Sequence, residues 1–149
     1  QAVRIGCPGD GTIRDCTLSN LVIKGTGNGI VFDNPKRYLG EGRRGSAHVS
    51  HLLFDNLSID CSRIPVKMTV EEGITLPRLG DVTFANSHLR GGAPCMIAGN
   101  STTTIENVRL QNLRIESATD QALVARHCRG LQMDAVTLSH VPRDSRESV

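Results

Sequence analysis

The chain has 149 residues, a formal net charge of +2 and an apolar content of 38%, values that suit one domain. So small a positive charge argues against a nucleic-acid partner, and no apolar run is long enough to cross a membrane. Aromatic residues are scarce, with one Tyr, three Phe and no Trp, which suits a narrow interior.

One apolar frame recurs along the chain with Asn at a fixed place in it. The key residues are Asn20, Asn56, Asn86 and Asn112, and a fifth copy keeps the apolar positions but has Ala135 at the key position. Apolar residues also stand seven and four places before each key residue, as Val49 and Leu52 do before Asn56. Such self-similarity is the signature of a repeat architecture.

The repeat predicts short strands. Key positions are separated by 36, 30, 26 and 23 residues, so the extra length must lie in loops. Apolar residues alternate at short range, β-branched residues are frequent, and no stretch has a sustained helical period. We therefore predict an all-β fold, a parallel β-helix of about five coils. The Asn side chains are predicted to be buried in one turn of the coils and to form an amide ladder between neighbours.

A second strand is predicted in each coil, at 29–33, 64–68, 93–97 and 121–126. Alternation divides these strands into an inward and an outward set. The predicted inward residues are Ile30, Phe32, Val66, Met68, Cys95, Ile97, Leu123 and Ala125. The predicted outward residues, which share one face with Arg4, are Val31, Asp33, Lys67, Met96, Val124 and Arg126.

Segments 2–7, 12–20 and 28–32 together resemble the C-terminal portion of the polygalacturonase-like glycoside hydrolases of family 28. The resemblance extends over roughly residues 1 to 139. It implies a right-handed parallel β-helix of the pectin lyase type and an inverting hydrolysis of polysaccharides. It also implies a secreted or periplasmic location and a polysaccharide or oligosaccharide as partner.

In that family, inversion requires two aspartates on coils upstream of the matching segment, a His just before the strand that 2–6 resembles, and an Arg-x-Lys on the strand that 30–33 resembles. In this chain Gln1 stands at the His position, and Val31 and Asp33 stand at the Arg and Lys positions. We therefore expect no catalytic residue in this chain and no hydrolysis by it alone. Loss of two carboxylate-binding cations favours a neutral or differently substituted sugar.

The candidate substrate-binding residues come from the outward face and from the longest insertion, between Asp33 and Val49. Long loops on a rigid stack commonly carry binding groups. The chain's only Tyr could stack on a sugar ring while neighbouring cations donate to hydroxyls. The alternative is a solvated basic turn. The candidates are Arg4, Asp33, Lys36, Arg37, Tyr38 and Lys67.

The five cysteines form no CxxC pair, and the five histidines have no metal-ligand spacing, so no metal and no cofactor is expected. Cys16, Cys95 and Cys128 fall on inward positions and should act as small hydrophobes. Whether Cys7 and Cys61 form a structural disulfide is left open by the sequence.

The coils are predicted to span 1–141, and the segment 142–149 is a polar tail or the start of a linker. Because the chain begins directly on a strand-like segment, we expect it to be part of a longer protein. Two alternatives to the hydrolase remain. One is a non-catalytic carbohydrate-binding or adhesive β-helix module, and the other is a polysaccharide lyase or epimerase on the same fold.

Overall fold

The computed structural model describes residues 1–144, which are all-β apart from one 3-10 turn at Lys36–Tyr38. Most strands are short, as predicted, but β8 and β10 continue without a break and have 14 and 13 residues. In chain order they are β1 Val3–Arg4, β2 Thr12–Ser19, β3 Val22–Thr26, β4 Ile30–Asn34, β5 His48–Asp55, β6 Ser58–Cys61, β7 Val66–Val70, β8 Arg78–Gly91, β9 Cys95–Ala98, β10 Ile105–Ser117, β11 Leu123–Arg126, β12 Cys128–Arg129 and β13 Gln132–His140.

The strands form two sheets, and every pairing is parallel. Sheet A has the order β1-β4-β7-β9-β11 and contains the second strand of each repeat. Sheet B contains the frame strands, in the order β2-β5-β8-β10. Both β12 and β13 pair with β10, while β3 pairs with β6 and β6 pairs with β8. Each repeat therefore pairs with the one before it and the one after it, in the same register.

The core lies between the two sheets. Phe32 of sheet A and Phe54 of sheet B pack edge to face with ring centroids 5.7 Å apart, and Phe84 stacks on Phe54 at 4.7 Å. All three Phe residues of the chain are fully buried. The aromatic scarcity thus reflects a narrow interior that accommodates a single stack of rings.

Two positions with a positive φ recur in every repeat, and they form two columns five residues apart along the chain. The first, which we call the Asn column, consists of Asn20, Asn56, Asn86, Asn112 and Ala135, with φ between 51° and 59°. The second, which we call the mixed column, consists of Asp15, His51, Asp81, Asn107 and Gly130. Asn, Asp, His and Gly are the residues that tolerate this left-handed conformation best.

The left-handed residues explain the spacing of the apolar frame. A regular strand buries every second residue, but Val49 and Leu52 are both buried three places apart with His51 between them. Phe54 and Leu57 repeat this arrangement around Asn56. Each left-handed residue bends the strand and shifts the alternation of buried and exposed residues by one place. The three-residue spacings in the apolar frame therefore mark the two bends.

The amide ladder is present in two separate pairs and is interrupted between Asn56 and Asn86, and the prediction that its side chains are buried is wrong. Asn56 donates to Asn20 at 2.7 Å and Asn112 donates to Asn86 at 2.9 Å, while Asn86 turns to the carboxylate of Asp55 at 2.8 Å. All four asparagines are exposed. A left-handed residue at a bend points its side chain outward, so the amides bond along the surface of the stack.

The last strand, β13, ends at His140. Arg143, in the segment predicted to be a tail, donates to the carboxylate of Asp60 at 2.8 Å and to the carbonyl of Cys61. The remainder of the predicted tail, 145–149, lies outside the described residues. The proposed boundary at 141 remains a prediction.

All five cysteines are free thiols, so no Cys7–Cys61 bridge is present. Cys95 is buried, and Cys16 and Cys128 are half-buried against the core, as expected for inward positions. Burial raises the pKa of the Cys95 thiol to about 12.

Candidate functional site

The outward face of sheet A is built from two rows of side chains in register. One row runs through Arg4, Val31, Lys67, Met96 and Val124. The other runs through Asp33, Thr69, Ala98 and Arg126. Because the strands are parallel and in register, each row brings one residue of successive repeats side by side.

Arg4 is fixed between its own strand and the next. Its guanidinium donates to the carbonyl of Asp33 at 2.8 Å and to the carbonyl of Gly6 at 3.3 Å. The same guanidinium lies 4.6 Å from the centre of the Tyr38 ring. A cation at this distance is attracted by the ring electrons. The contact joins the 3-10 turn to the opening strand.

Tyr38 receives a second guanidinium from its neighbour Arg37, 4.8 Å from the ring centre. Arg37 also donates to the phenol oxygen at 3.4 Å. The hydrogen bond and charge of Arg37 lower the pKa of Tyr38 below its usual value. Tyr38 is 46% exposed, but the two cations compete with a sugar for its ring, so in this state it chiefly orients Arg4 and Arg37.

Asp33 and Lys67 form an ion pair at 3.3 Å, and the Thr69 hydroxyl donates to the same carboxylate oxygen at 3.1 Å. Their side chains are 14% and 26% exposed, respectively. Asp33 and Lys67 lie in adjacent rows of neighbouring strands, which places them within reach of one another. A ligand that takes up the Lys67 ammonium must compete with Asp33.

These residues border a groove of about 560 Å³, which we call the sheet A groove. Asp33, Arg37 and Lys67 line it, so three of the six candidates share one surface. Lys36 does not line it: its backbone N–H donates to Glu71 at 2.7 Å and its side chain extends over Gly73. The functional role of all six candidates remains a prediction.

The predicted facing of sheet A holds for its central strands. The side chains of β4, β7 and β9 that were predicted to face inward are each at most 3% exposed. At the end of the sheet, Leu123 is half-buried and Ala125 is exposed, because no strand within residues 1–144 pairs with the outer edge of β11. Val31 is fully buried although it faces outward, since its row neighbours Arg4 and Lys67 carry long side chains that cover apolar surface.

Sequence reasoning missed several residues of the groove, including Asn28, Arg63, Thr69 and Glu71. Thr69 follows Lys67 by two places and is therefore on the same face of its strand, a signal that was present in the sequence. Glu71 accepts from the Lys36 backbone N–H and the adjacent Glu72 accepts from the Ser101 hydroxyl, so these neighbouring carboxylates have different partners.

Within residues 1–144, no set of three or more His, Cys, Asp or Glu side chains is arranged to hold a metal ion. In the same part of the chain, no helix is long and apolar enough to cross a membrane. Comparison with protein-family models, with curated proteins and with solved structures found no match to this chain.

Proposed function

We propose that this chain is a right-handed parallel β-helix of about five coils that supplies one end of the sugar-binding cleft of a polygalacturonase-like glycoside hydrolase. Parallel, in-register pairing between successive repeats supports the β-helix. Crossovers between parallel strands of one sheet are right-handed in nearly all proteins, which supports the handedness.

The observation that carries the binding proposal is the convergence of Arg37, Lys67 and Asp33 on one groove. Cations and a carboxylate that meet in a groove of this size can donate to and accept from sugar hydroxyls. The Tyr38 ring lies against the guanidinium groups of Arg4 and Arg37, of which Arg37 lines the groove.

The chain by itself acts in this proposal as a binding element. Inverting hydrolysis needs one carboxylic acid and one carboxylate separated by a water molecule. Asp33 and Glu71 are the carboxylates lining the groove in residues 1–144, and each is engaged, Asp33 by Lys67 and Glu71 by the Lys36 backbone. A non-catalytic carbohydrate-binding module is therefore the second candidate, and it would use the same groove.

Titration of the chain with neutral and uronate oligosaccharides, followed by calorimetry, tests this proposal. We expect Lys67→Ala and Arg37→Ala each to weaken binding by about tenfold, because each removes a charged donor. Arg126→Ala, on the third strand beyond Asp33, should leave the affinity unchanged. Equal losses in all three variants would contradict a localised site, and hydrolysis by the isolated chain would show that the catalytic groups have been assigned wrongly.

A further inference from the structure

A second groove, of about 690 Å³, lies on sheet B where the frame strands bend at the mixed column. We call it the corner groove. The mixed column forms one side of the groove. The floor is formed by the residue that follows each mixed-column residue by two places in the chain. These later residues are Thr17, Leu53, Thr83, Arg109 and Gln132. The corner groove and the sheet A groove lie on different sheets, so each can be tested without the other.

The floor residues of the corner groove form one row in register. Thr17 pairs with Leu53, Leu53 with Thr83, Thr83 with Arg109, and Arg109 with Gln132. Neighbouring strands are about 4.8 Å apart, so the row offers one side chain at each such step. An extended ligand that crosses the strands could touch the whole row.

The polar side chains of this row have no partner in the part of the chain that the structure describes. Among residues 1–144, the side chains of Thr17, Thr83, Arg109 and Gln132 make no hydrogen bond or ion pair with another residue. In the sheet A groove, by contrast, the Lys67 ammonium is already taken by Asp33. Hydrogen-bonding groups that line a groove and lack a partner are free to bind a ligand.

The charges around the corner groove nearly cancel. Asp81 is paired with Arg78 at 2.8 Å, and Asp15 lies 3.4 Å from Arg14. Arg109 remains as one unpaired cation among the described floor residues. A polyanion such as nucleic acid needs a clear excess of cations, so the surface favours a ligand without net charge.

The second residue of the row is apolar. Leu53 is 37% exposed between two threonines, which gives the groove an apolar contact surface flanked by hydroxyls. The backbone beneath it offers nothing to a peptide, because β5 and β8 are already paired on both edges. A peptide that binds by strand addition needs a free edge. Recognition here must use side chains.

We propose that the corner groove binds a neutral, extended oligosaccharide that crosses the strands, with the apolar face of one sugar on Leu53 and hydroxyls bonded to Thr83, Arg109 and Gln132. The hydroxyls of a sugar chain both donate and accept hydrogen bonds, and its rings have apolar faces. These properties match a groove floor that combines one apolar side chain with several polar ones. This inference stands without the sheet A proposal, since it uses different residues.

The test follows Leu and Thr methyl signals by NMR while the chain is titrated to millimolar concentration with a neutral oligoglucan, a neutral oligomannan and a uronate oligosaccharide. We expect at least one neutral oligosaccharide to shift the methyl signals of Leu53 and Thr83. Arg109→Ala should weaken that binding by about tenfold, as loss of a charged donor does. Leu53→Ser should weaken it as well.

Arg126→Ala is the matched control, because the Arg126 side chain is exposed, has no partner among residues 1–144 and lies on sheet A. Leu53 and Arg109 are exposed, so both variants should fold, and thermal unfolding checks this. Absence of any shift at Leu53 with the neutral sugars would overturn the proposal. Tighter binding of the uronate chain at this groove, or shifts confined to Thr69, would also overturn it, the latter result pointing instead to the sheet A groove.

Discussion

The Asn column and the mixed column have the same backbone conformation, yet only the Asn column keeps one residue type through its first four members. Left-handed φ selects a class of residues, which here includes Asn, Asp, His and Gly. The Asn column is restricted further because an amide can donate to one neighbour and accept from the other. In the mixed column Asn107 donates to Asp81 at 3.0 Å, His51 lies 4.0 Å from Asp15 and Gly130 has no side chain, so no single bond repeats along it. The surface beside this column forms the corner groove.

The comparison between the columns separates two energies that a single variant would confound. One is the cost of a left-handed backbone, which both columns share. The other is the hydrogen bond between side chains, which the Asn column has at Asn56 and the mixed column lacks at His51, whose nearest charged partner is 4.0 Å away.

The largest effect is expected for Asn56→Leu, which we predict to lower the free energy of unfolding by about 2–3 kcal/mol, from left-handed strain and a lost hydrogen bond. His51→Leu, in the same repeat, should cost about 1–2 kcal/mol, because only the strain applies. Urea denaturation of both variants measures the difference.

Asn56→Gly and His51→Gly serve as controls, since Gly adopts the conformation freely. Asn56→Gly should then retain only the cost of the lost ladder bond. If the two Leu variants were equally destabilised, the ladder bond would contribute nothing.

An intermediate effect, dependent on pH, is expected for Asp81→Asn. Partial burial would raise the pKa of Asp81, but hydrogen bonds from Asn107 and Arg78 outweigh it and hold the pKa below its ordinary value of 3.8. A carboxyl with a lowered pKa stabilises the fold fully above the unfolded-state value and loses that contribution as pH falls through the folded-state value. Asp81→Asn should therefore cost about 1 kcal/mol at neutral pH and almost nothing in strong acid.

Asn112→Gly provides the comparison, because the Asn112–Asn86 bond involves no titrating group. Its cost should not vary with pH over the range in which the protein stays folded. Unfolding experiments at several pH values measure both variants. A flat profile for Asp81→Asn would show that the carboxylate charge does not contribute.

The smallest effect is a gain. Ala135 has φ of 51° in the Asn column, a conformation that Ala adopts with strain. We predict that Ala135→Asn stabilises the chain by about 0.5–1 kcal/mol, by relieving strain and by donating to Asn112. Ala135→Gly should give only the part due to strain. A loss of stability in Ala135→Asn would contradict the extension of the ladder to the fifth repeat.

The apolar frame made much of the fold predictable, because inward positions such as Val49, Leu52 and Phe54 recur and are all buried. The alternation of sheet A was equally readable and placed Asp33 and Lys67 on one face. The mixed column was missed, since its residue type changes at every repeat. A search for Asp, His, Asn or Gly five places before each key residue would have found it.

The alternation of apolar and polar residues did not allow us to predict that the Asn side chains are exposed or that Val31 is buried. The first depends on the direction in which a left-handed residue points, which two-fold alternation does not describe. The second depends on the long side chains of Arg4 and Lys67, which adjoin Val31 only after the repeats pair. Both are properties of neighbouring repeats and are absent from any single strand.

Alkylation of the free thiols can be used to measure local opening of this protein. Cys16 and Cys128 lie half-buried in the first and last repeats, while Cys61 and Cys95 are buried between them. Only the thiolate reacts with alkylating reagents, so a buried thiol with a pKa of about 12, such as Cys95, is labelled only when its surroundings open. The order in which the four become alkylated would therefore report whether the stack frays from its ends or opens as one unit.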